Sequence, residues 1–496
     1  MMTIPSDLPV AFRGITLLGL GPGASFLLTR QAWDLLANIP EVYLRTLQHP
    51  AVAGFPPGLR VYSFDHLYDQ GDTFPEVYNQ IVEYVLELGK RPEGVVYAVP
   101  GQPFFAEATT PEIARRARQA GIALRVVDGL SFIDAIFSAL RIDPFPNTAL
   151  VDALELTVAH HPPFPPSAPA LIAQIHSPAV ASEVKLTLMA VYPDEHLVQL
   201  VHAAGTSREL IEELPLYAID RSQHIGLLTS LYVPTLGHST SFEAFQEVVA
   251  HLRAPEGCPW DRDQTHQTLR PYLLEEAYEV LIALDADNPV AVREELGDLL
   301  LQIVLHAQIA SEYGEFTMAD VLQSIHAKLV HRHPHVFSDL VVEDKEKVVE
   351  NWERIKAAER AKGGKEAEGI LDNTAQALPA LVQAEAYQKR VARVGFDWPN
   401  IRGVLDKIYE ELEEVRLATD LREQENEIGD LLFAAVNLAR WFEVDAESAL
   451  RAANTRFRER FAKIETAVRS QGRQLSALSL EEMNELWEAA KNDAER

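Results

Sequence analysis

The chain has 496 residues, 47% of them hydrophobic, and a formal net charge of −29 from 73 acidic and 44 basic residues. This length is too great for one hydrophobic core, so we expect several domains. The acidic balance argues against nonspecific nucleic-acid or anionic-membrane binding, and no apolar stretch is long enough to predict a membrane span. A small anionic ligand stays compatible with it, because a metal ion can reverse the local potential.

The cysteine content and the first residues bear on the compartment. Cys258 is the single cysteine, which excludes an internal disulfide framework and fits a reducing environment. The opening sequence "MMTIPSDLPV" has no basic region followed by an apolar run, so it predicts no signal peptide. We therefore expect a cytoplasmic protein.

Short β-rich runs alternate with helical patterns in the first part of the chain. The runs Ile15–Gly23, Gly94–Pro103 and Ile122–Ser131 read as strands, while Pro75–Leu88 and Thr110–Gly121 read as helices. This alternation predicts an α/β domain with a mainly parallel sheet over residues 1–237. A Pro-rich stretch, "HHPPFPPSAP" at His160–Pro169, predicts a linker between two lobes of this domain.

The pattern changes near Ser239, where apolar residues begin to recur at helical spacing. Leu296–Ala310 is apolar on most of its circumference, which predicts the central helix of a bundle. The polar, Gly-containing segment Arg360–Gly369 predicts a hinge. We therefore expect two all-α helical bundle domains, over residues 238–362 and 363–496.

An internal repeat supports this division. "YLLEEAYEVLIAL" followed by "EELGDLLLQIVLHA" in the first copy matches "KIYEELEEVRLAT" followed by "NEIGDLLFAAVNLA" in the second. A tryptophan beside proline precedes each copy, in Cys258–Asp261 and in Phe396–Pro399. The repeat predicts a duplicated helical domain.

Each copy places acidic side chains at helical spacing on two successive helices. They are Glu275, Glu276, Glu279, Glu295 and Asp298 in the first copy, and Glu410, Glu411, Glu414, Glu427 and Asp430 in the second. If the two helices pack antiparallel, the carboxylates converge on a site for Mg²⁺, which prefers oxygen ligands and keeps waters that a phosphate can replace. A solvated acidic surface is the alternative, but both "GDLL" acids stand at the mouth of an apolar run, where an unpaired carboxylate is costly.

Basic residues lie near these acids. Lys407 precedes Glu410 and Glu411 by about one helical turn, and Arg270 holds a roughly similar place in the first copy. Basic side chains beside metal-binding acids suit a triphosphate, although ion pairing on a helix surface is the alternative. The three histidines of Lys328–Phe337 surround a proline and predict a structured turn rather than a zinc site.

The ordered acids, with "CPWDRDQTH" before and "RHPHVF" after the first copy, resemble MazG-type nucleoside triphosphate pyrophosphohydrolases over roughly residues 239–490. The resemblance implies an all-α homodimer that depends on Mg²⁺ and cleaves a nucleoside triphosphate to a monophosphate and pyrophosphate. It also implies a role in house-cleaning of the nucleotide pool. It assigns the ten acids as metal ligands.

By the same resemblance, the residues that contact phosphates or the base are Lys407, Arg456, Arg460 and Trp487. Glu411 and Glu414 are the candidates for orienting the attacking water, and the sequence does not choose between them. Lys407 directly precedes the acids of the second copy, which makes this copy the better candidate for catalysis.

The N-terminal part carries a Gly-rich loop between a strand and a helix, at Gly19–Leu36. Together with Tyr97–Thr109 and Val126–Ile136, it resembles the tetrapyrrole (corrin/porphyrin) methylases, which bind S-adenosylmethionine between two α/β lobes. The resemblance implies a cofactor cleft lined by Gly19, Gly21, Pro22 and Gly23, with Pro100, Gly101 and Pro103 opposite. Gln102 stands where the family commonly has an acid, and Asp128 departs from the usual "PG.S". Both departures leave cofactor binding open and weaken the expectation of methyl transfer.

The leading interpretation is a Mg²⁺-dependent enzyme that hydrolyses nucleoside triphosphates, fused to a methylase-like domain as in proteins of the YabN type. Its expected partners are nucleoside triphosphates and a second copy of the chain, without nucleic acid or membrane. One alternative is an S-adenosylmethionine-dependent methyltransferase as the main activity. Another is a non-catalytic helical scaffold, which would release no pyrophosphate.

Overall fold

The computed structural model describes residues 12–68, 73–338, 344–362, 369–372 and 378–492. The chain divides into two compact units, Met1–His251 and Leu252–Arg496. The first is α/β and the second is helical, which confirms the predicted fold class. The boundaries predicted at residues 237 and 362 stay predictions. Among the described helices, none is long and apolar enough to cross a bilayer.

The first lobe of the first unit is a parallel sheet with helices on it. Its elements are β1 (Ile15–Gly19), α1 (Arg30–Asn38), β2 (Glu41–Leu44), β3 (Arg60–Ser63), α2 (Asp65–Tyr68), α3 (Phe74–Gly89), β4 (Val95–Val99), α4 (Thr109–Ala120), β5 (Leu124–Val127) and α5 (Phe132–Leu140). The strand order is β3-β2-β4-β1-β5, and every pair is parallel. All five residues of β1 are buried, as a strand covered on both faces requires.

The register of this sheet brings three loops to one edge. Gly19 of β1 pairs with Val99 of β4, and Leu18 of β1 pairs with Val127 of β5. The loops that follow the three strands therefore leave the sheet side by side at its carboxyl edge, where open α/β sheets bind their ligands.

The second lobe is a mixed sheet. Its elements are β6 (Ala149–Asp152), α6 (Ala153–Thr157), β7 (Ala170–Ala173), α7 (Pro178–Leu188), β8 (Leu197–His202), β9 (Leu210–Pro215) and β10 (Thr229–Val233). The order is β6-β7-β10-β8-β9, and only β6 and β7 pair in parallel. The expectation of a mainly parallel sheet therefore holds for the first lobe alone, because short connections between the later strands favour antiparallel pairs.

The Pro-rich stretch His160–Pro169 does not link the two lobes. It connects α6 to β7 inside the second lobe, and Phe164 within it is buried in that lobe's core. The carbonyl of Pro166 accepts a hydrogen bond from the backbone of Leu236. The prolines correctly predicted a segment without regular secondary structure. Composition does not reveal that the strand before this segment pairs with the strand after it.

The second unit consists of helices, and α8 (Phe242–Arg253) spans the boundary with the first. The others are α9 (Pro259–Arg262), α10 (His266–Asp285), α11 (Pro289–Glu312), α12 (Met318–Arg332), α13 (Pro334–Phe337), α14 (Lys345–Lys362), α15 (Ala380–Ala392), α16 (Ile401–Leu417), α17 (Leu421–Trp441), α18 (Ala446–Ser470) and α19 (Leu480–Asn492). Residues 363–368 of the predicted hinge lie outside the described residues.

The two copies of the repeat form two helical hairpins. The first is α10 with α11, and the second is α16 with α17. A capping residue starts the second helix of each: the Asn288 side chain accepts from the amides of Val290 and Ala291, and Asp420 accepts from those of Arg422 and Glu423. These caps fix the short turns that fold each acidic helix back onto the next.

Helix α11 is buried only in its second half. Val304, Leu305 and Ile309 lie in the core, whereas Leu296 is 50% exposed and Ile303 is 43% exposed. The prediction of a central helix is therefore correct for one half. The apolar face of the other half is not covered by the residues that the structure describes.

Candidate functional site

The second hairpin brings three carboxylates together. Glu411 of α16 and Glu427 and Asp430 of α17 each offer an oxygen within 4.8 Å of the others. Glu411 is only 3% exposed, and its Oε2 has no hydrogen-bond donor among the described residues. A buried carboxylate oxygen without a partner is costly, and a cation would satisfy it.

The first hairpin forms the matching cluster from Glu276, Glu295 and Asp298, again within 4.8 Å. Burial, followed by the charges of Asp298 and Glu279, raises the pKa of Glu276. Burial, followed by the charge of Glu279, raises the pKa of Glu295 as well. Glu279 thus adjoins this cluster, and the shared negative potential attracts a cation.

The remaining predicted acids lie around the two clusters. Burial, then the charges of Glu411 and Glu427, raises the pKa of Glu414, so Glu414 adjoins the second cluster as Glu279 adjoins the first. Glu275 and Glu410 are exposed and belong to neither set of three. The helical spacing identified all ten acids, whereas only the packing of the helices separates the converging ones from their neighbours.

Lys407 is the cation of the second cluster. Its Nζ donates to Glu411 Oε1 at 2.7 Å and to Glu410 Oε1 at 2.9 Å. The hydrogen bond to Glu411 is the largest cause that raises the pKa of Lys407, so the ammonium stays charged. In the first copy, Arg270 is exposed and forms no ion pair with the cluster in the described part of the chain. The predicted approximate replacement of Lys407 by Arg270 is therefore not seen in this conformation.

A cavity of about 750 Å³ opens beside the second cluster. Lys407, Glu411 and Asp430 line it, together with four aromatic side chains. The aromatic side chains are Tyr387, Phe396, Trp398 and Phe433. A cavity lined by both charged and aromatic side chains matches a ligand with a phosphate chain and a planar base.

The sequence did not reveal the polar wall of this cavity. Arg440 of α17 donates to Asp397 at 2.6 Å and, through Nε, to Asn437 at 3.0 Å. The three side chains line the cavity and hold the turn that carries Trp398 against α17. The repeated Trp-Pro pair was a usable signal for the turn, but Asn437 and Arg440 look like an ordinary polar helix face in the sequence.

Three residues predicted to contact substrate lie on the last two helices, away from this cavity's lining. The Arg460 guanidinium lies 5.7 Å from the centre of the Trp487 ring, which also packs against Phe457 at 5.1 Å. Arg456 is exposed on α18. Arg456, Arg460 and Trp487 are therefore not brought to the carboxylates within the described chain, and their substrate contacts stay a prediction.

The first unit holds a second cavity, a cleft of about 580 Å³ between its lobes. Gly21, Pro22, Pro100 and Gly101 line it, and their role in cofactor binding stays a prediction. Gly21 and Gly101 exchange backbone hydrogen bonds of 3.1 and 2.8 Å, so their loops form one wall instead of facing each other. Both have positive φ, 73° and 69°, which glycine adopts without strain.

Gly19, Gly23 and Pro103 are not part of the cleft lining. A Cβ on Gly19 would meet Gly129 N at 2.4 Å and Gly101 O at 2.6 Å, so Gly19 serves close packing of the strand ends. Pro103 is buried and accepts a hydrogen bond from the Thr110 hydroxyl. Within one motif, Gly21 lines the cleft and Gly19 allows close packing of the strand ends. Their spacing in the sequence does not distinguish these two roles.

The two departures from the methylase pattern contact each other. Gln102 Nε2 donates to Asp128 Oδ1 at 3.3 Å, and Gln102 Oε1 accepts from the amide of Phe104 at 2.6 Å. Asp128 follows β5, two strands from β4 with β1 between them, so this hydrogen bond joins two loops at the same edge of the sheet.

Two family models match the chain. Residues 14–220 match the tetrapyrrole (corrin/porphyrin) methylases, and residues 264–337 match the MazG nucleotide pyrophosphohydrolase domain, which includes the first carboxylate cluster. Among solved structures, a uroporphyrin-III-C-methyltransferase from Thermus thermophilus covers 45% of this chain and 93% of its own, at 20% identity and a TM-score of 0.35.

Curated relatives cover both parts. The nucleoside triphosphate pyrophosphohydrolase/pyrophosphatase MazG of Thermotoga maritima is 47% identical over 254 residues, 51% of this chain and 97% of its own. The nucleoside triphosphate pyrophosphohydrolase of Escherichia coli K12 is 46% identical over 250 residues, 49% of this chain and 94% of its own. The uncharacterized protein YabN of Bacillus subtilis is 40% identical over 496 residues, 97% of this chain and 99% of its own. The chain therefore belongs to the YabN family, in which a tetrapyrrole methylase domain precedes a MazG region.

Proposed function

We propose that the second carboxylate cluster is the catalytic site of a Mg²⁺-dependent reaction that converts a nucleoside triphosphate and water to a nucleoside monophosphate and pyrophosphate. By its MazG domain and its relatives, the chain is a hydrolase of the nucleoside triphosphate pyrophosphohydrolase class. The assignment of this reaction to one cluster depends on the orphaned oxygen of Glu411, a residue that lines the cavity.

The donor set fits a hard divalent ion. Glu411, Glu427 and Asp430 supply oxygens close enough to share one ion, and Glu414 is near enough to complete the set or to accept a proton. Bound there, Mg²⁺ would polarise a phosphoryl oxygen and offset the charge that builds on the leaving pyrophosphate.

The side chains around the cluster would bind the phosphate chain, orient the attacking water and contact the base. Lys407 can turn from Glu410 and Glu411 to the phosphate chain, because its ammonium is a compact charge on a flexible stem. Glu411 or Glu414 holds the attacking water and takes its proton, since a carboxylate beside the cluster lies within reach of that water. Trp398 and Phe396 line the same cavity and offer flat apolar faces to the base.

The first cluster we assign to ion binding without efficient catalysis. Tyr272 stands one helical turn before Glu276, where the second copy has Lys407 before Glu411, and its ring packs at 6.2 Å from Trp260. A phenol there provides no cation for a phosphate chain.

A second copy of the chain is the partner that we propose for the helical unit. Several leucines on the hairpins are more than two-fifths exposed: Leu274 at 60%, Leu284 at 54%, Leu296 at 50%, Leu412 at 47% and Leu432 at 54%. Apolar side chains repeated along a helix pair are typical of interfaces between bundles. Analytical ultracentrifugation tests this, because a monomer at micromolar concentration would contradict it.

Glu411→Gln tests the catalytic assignment. In the full-length protein with Mg²⁺ and a panel of nucleoside triphosphates, we expect wild type to release monophosphate and pyrophosphate in equal amounts and Glu411→Gln to lose more than about 100-fold in rate. Glu413→Gln is the matched control, because Glu413 lies on the same helix and pairs with exposed Arg416 outside the cavity lining. If Glu411→Gln keeps full activity and Glu276→Gln loses it, the catalytic site is in the first copy instead. A house-cleaning role predicts that noncanonical nucleoside triphosphates in the panel are hydrolysed faster than canonical ones.

A further inference from the structure

A second buried oxygen without a partner belongs to the lining of the cavity beside the second carboxylate cluster. Gln388 of α15 lines this cavity and is only 5% exposed. Its Oε1 has no hydrogen-bond donor among the described residues. A buried amide oxygen without a donor is costly, so it indicates a donor that arrives with a ligand.

The other end of the Gln388 amide is fixed. Its Nε2 donates to the backbone carbonyl of Phe433 on α17 at 2.8 Å. The reverse orientation of the amide would bring two carbonyl oxygens together, so this contact assigns the nitrogen to Phe433. Gln388 therefore presents an acceptor to its surroundings, and it cannot turn that acceptor elsewhere without losing its contact with α17.

This contact lies close to the proposed metal site. Phe433 follows Asp430 by three residues on α17, which is about 4.5 Å along the helix axis. Both residues line the cavity, as Gln388 does. With the phosphate chain of a nucleotide at the carboxylates, its sugar and base are the parts that come within reach of Gln388.

The polar side chains on the same stretch of α17 already have partners. Arg440 Nη2 donates to Asp397 at 2.6 Å, so these two charges offset each other. Asn437 Oδ1 accepts from Arg440 Nε at 3.0 Å and from Nη2 at 2.8 Å. The carbonyl oxygen of Asn437 is thus in use, whereas that of Gln388 is not.

The two unpartnered oxygens of the lining differ in chemistry. Glu411 Oε2 belongs to a carboxylate and suits a cation, as argued above. Gln388 Oε1 belongs to a neutral amide and suits an N–H or O–H donor. The first oxygen thus fits the metal ion that accompanies a phosphate chain, and the second fits the nucleoside.

We propose that Gln388 is a specificity-determining residue, whose Oε1 accepts a hydrogen bond from an N–H of the base or an O–H of the sugar of the bound nucleotide. The proposal rests on the function proposed above, because that function places the nucleoside in this cavity. An analogue without the donor is rejected, since it excludes water from Oε1 and supplies nothing in its place.

Titration calorimetry of the full-length protein with four nucleoside monophosphates tests this. The probes are adenosine monophosphate and its analogues without the amino group (purine riboside monophosphate), without the 2′-hydroxyl and without the 3′-hydroxyl. We expect wild type to bind one of the three analogues about tenfold more weakly than adenosine monophosphate. The group missing from that analogue shows whether the donor belongs to the base or to the sugar.

Gln388→Met tests the residue, because methionine has a similar length and only a weakly accepting sulfur. This variant should bind adenosine monophosphate about tenfold more weakly than wild type does, and should bind the discriminating analogue with unchanged affinity. Gln383→Met is the matched control, because Gln383 lies on the same helix outside the cavity lining, and it should keep the wild-type differences.

Calorimetry with monophosphates needs no turnover, so an error in the catalytic assignment leaves this comparison intact. Equal binding of all four probes by wild type would overturn the proposal, even if Gln388→Met failed to fold. The absence of saturable binding of adenosine monophosphate would do the same. A variant that weakened all four probes equally would show that Gln388 only supports the cavity wall.

Discussion

Lys407 Nζ lies 2.7 Å from Glu411 Oε1, while the other oxygen of Glu411 has no donor among the described residues. One carboxylate therefore holds a cation on one side and offers a free lone pair on the other. Glu411 is buried, so this arrangement is costly without an ion or substrate in place. The first cluster has no lysine in the corresponding position, and its Glu276 is more exposed than Glu411.

Removal of this lysine should separate nucleotide binding from metal binding. Lys407→Met takes away a charge that would hold phosphate, so we expect kcat/KM to fall about 100-fold, in the range of a lost charge-assisted hydrogen bond. The same change removes a competitor of the ion at Glu411, so Mg²⁺ should bind more tightly. Steady-state kinetics and titration calorimetry measure the two effects.

Lys389→Met is the control for this variant. Lys389 also pairs with a glutamate one helical turn away, Glu385, but it does not line the cavity. Its substitution should leave both measurements unchanged. Weaker Mg²⁺ binding in Lys407→Met would show that the lysine does not compete with the ion.

The carboxylate clusters should make stability depend on Mg²⁺. Without an ion, Glu276, Glu295 and Asp298 repel one another, so Glu276→Gln should raise the unfolding temperature in EDTA. With Mg²⁺ at a hundred times its dissociation constant, binding adds about 2.7 kcal/mol per site to wild type, and Glu276→Gln should lose one site's share. Differential scanning calorimetry compares both conditions, with exposed Glu315→Gln as control. An equal Mg²⁺ response in wild type and Glu276→Gln would contradict ion binding at this cluster.

The buried neutral ring of His49 should make the stability of the first unit depend on pH. Its pKa is lowered from 6.5 to about 4 by burial, so the unfolded chain binds the proton first as the pH falls. The contribution is fully present above pH 6.5 and is lost between 6.5 and about 4, and it amounts to about 3 kcal/mol. His49→Gln keeps a donor for Gly21 and should flatten this slope.

Hydrogen exchange of peptides that contain residues 41–55, corrected for the intrinsic rates, reports the slope locally. Exposed His66→Gln on the same lobe is the control and should keep the wild-type slope. An unchanged slope in His49→Gln would mean that another group titrates in this range.

Local signals made the acids predictable. Helix periodicity is set within a few residues, so Glu411, Asp430 and their counterparts could be identified from spacing and repetition alone. The strands β1, β4 and β5 were predictable for the same reason, since buried parallel strands are short continuous apolar runs.

Contacts between residues far apart in the chain could not be predicted from the sequence. The wall formed by Asn437 and Arg440 depends on how α17 packs against the turn at Trp398, and neither residue is unusual for a helix surface. The ion pair between Arg45 and Glu107 in the first unit likewise joins loops that follow two different strands. Such contacts join residues far apart in sequence, so no periodic pattern records them.

Gly403 supplies the last prediction, because it sets the position of the Trp398 ring. A Cβ at residue 403 would meet ring atoms of Trp398 at 2.6 and 3.1 Å, so an added methyl group must push the indole away. Trp398 lines the cavity where we place the base, so Gly403→Ala should raise KM for the triphosphate several-fold while kcat changes little. Within a helix, alanine for glycine otherwise stabilises by about 0.5–1 kcal/mol, and here the clash opposes that gain. Gly297→Ala on the first hairpin is the matched control, because its added Cβ would meet no atom within 4 Å outside its own helical turn in the described parts of the chain. Steady-state kinetics and thermal unfolding of both variants decide the matter, and a normal KM in Gly403→Ala would place the base elsewhere.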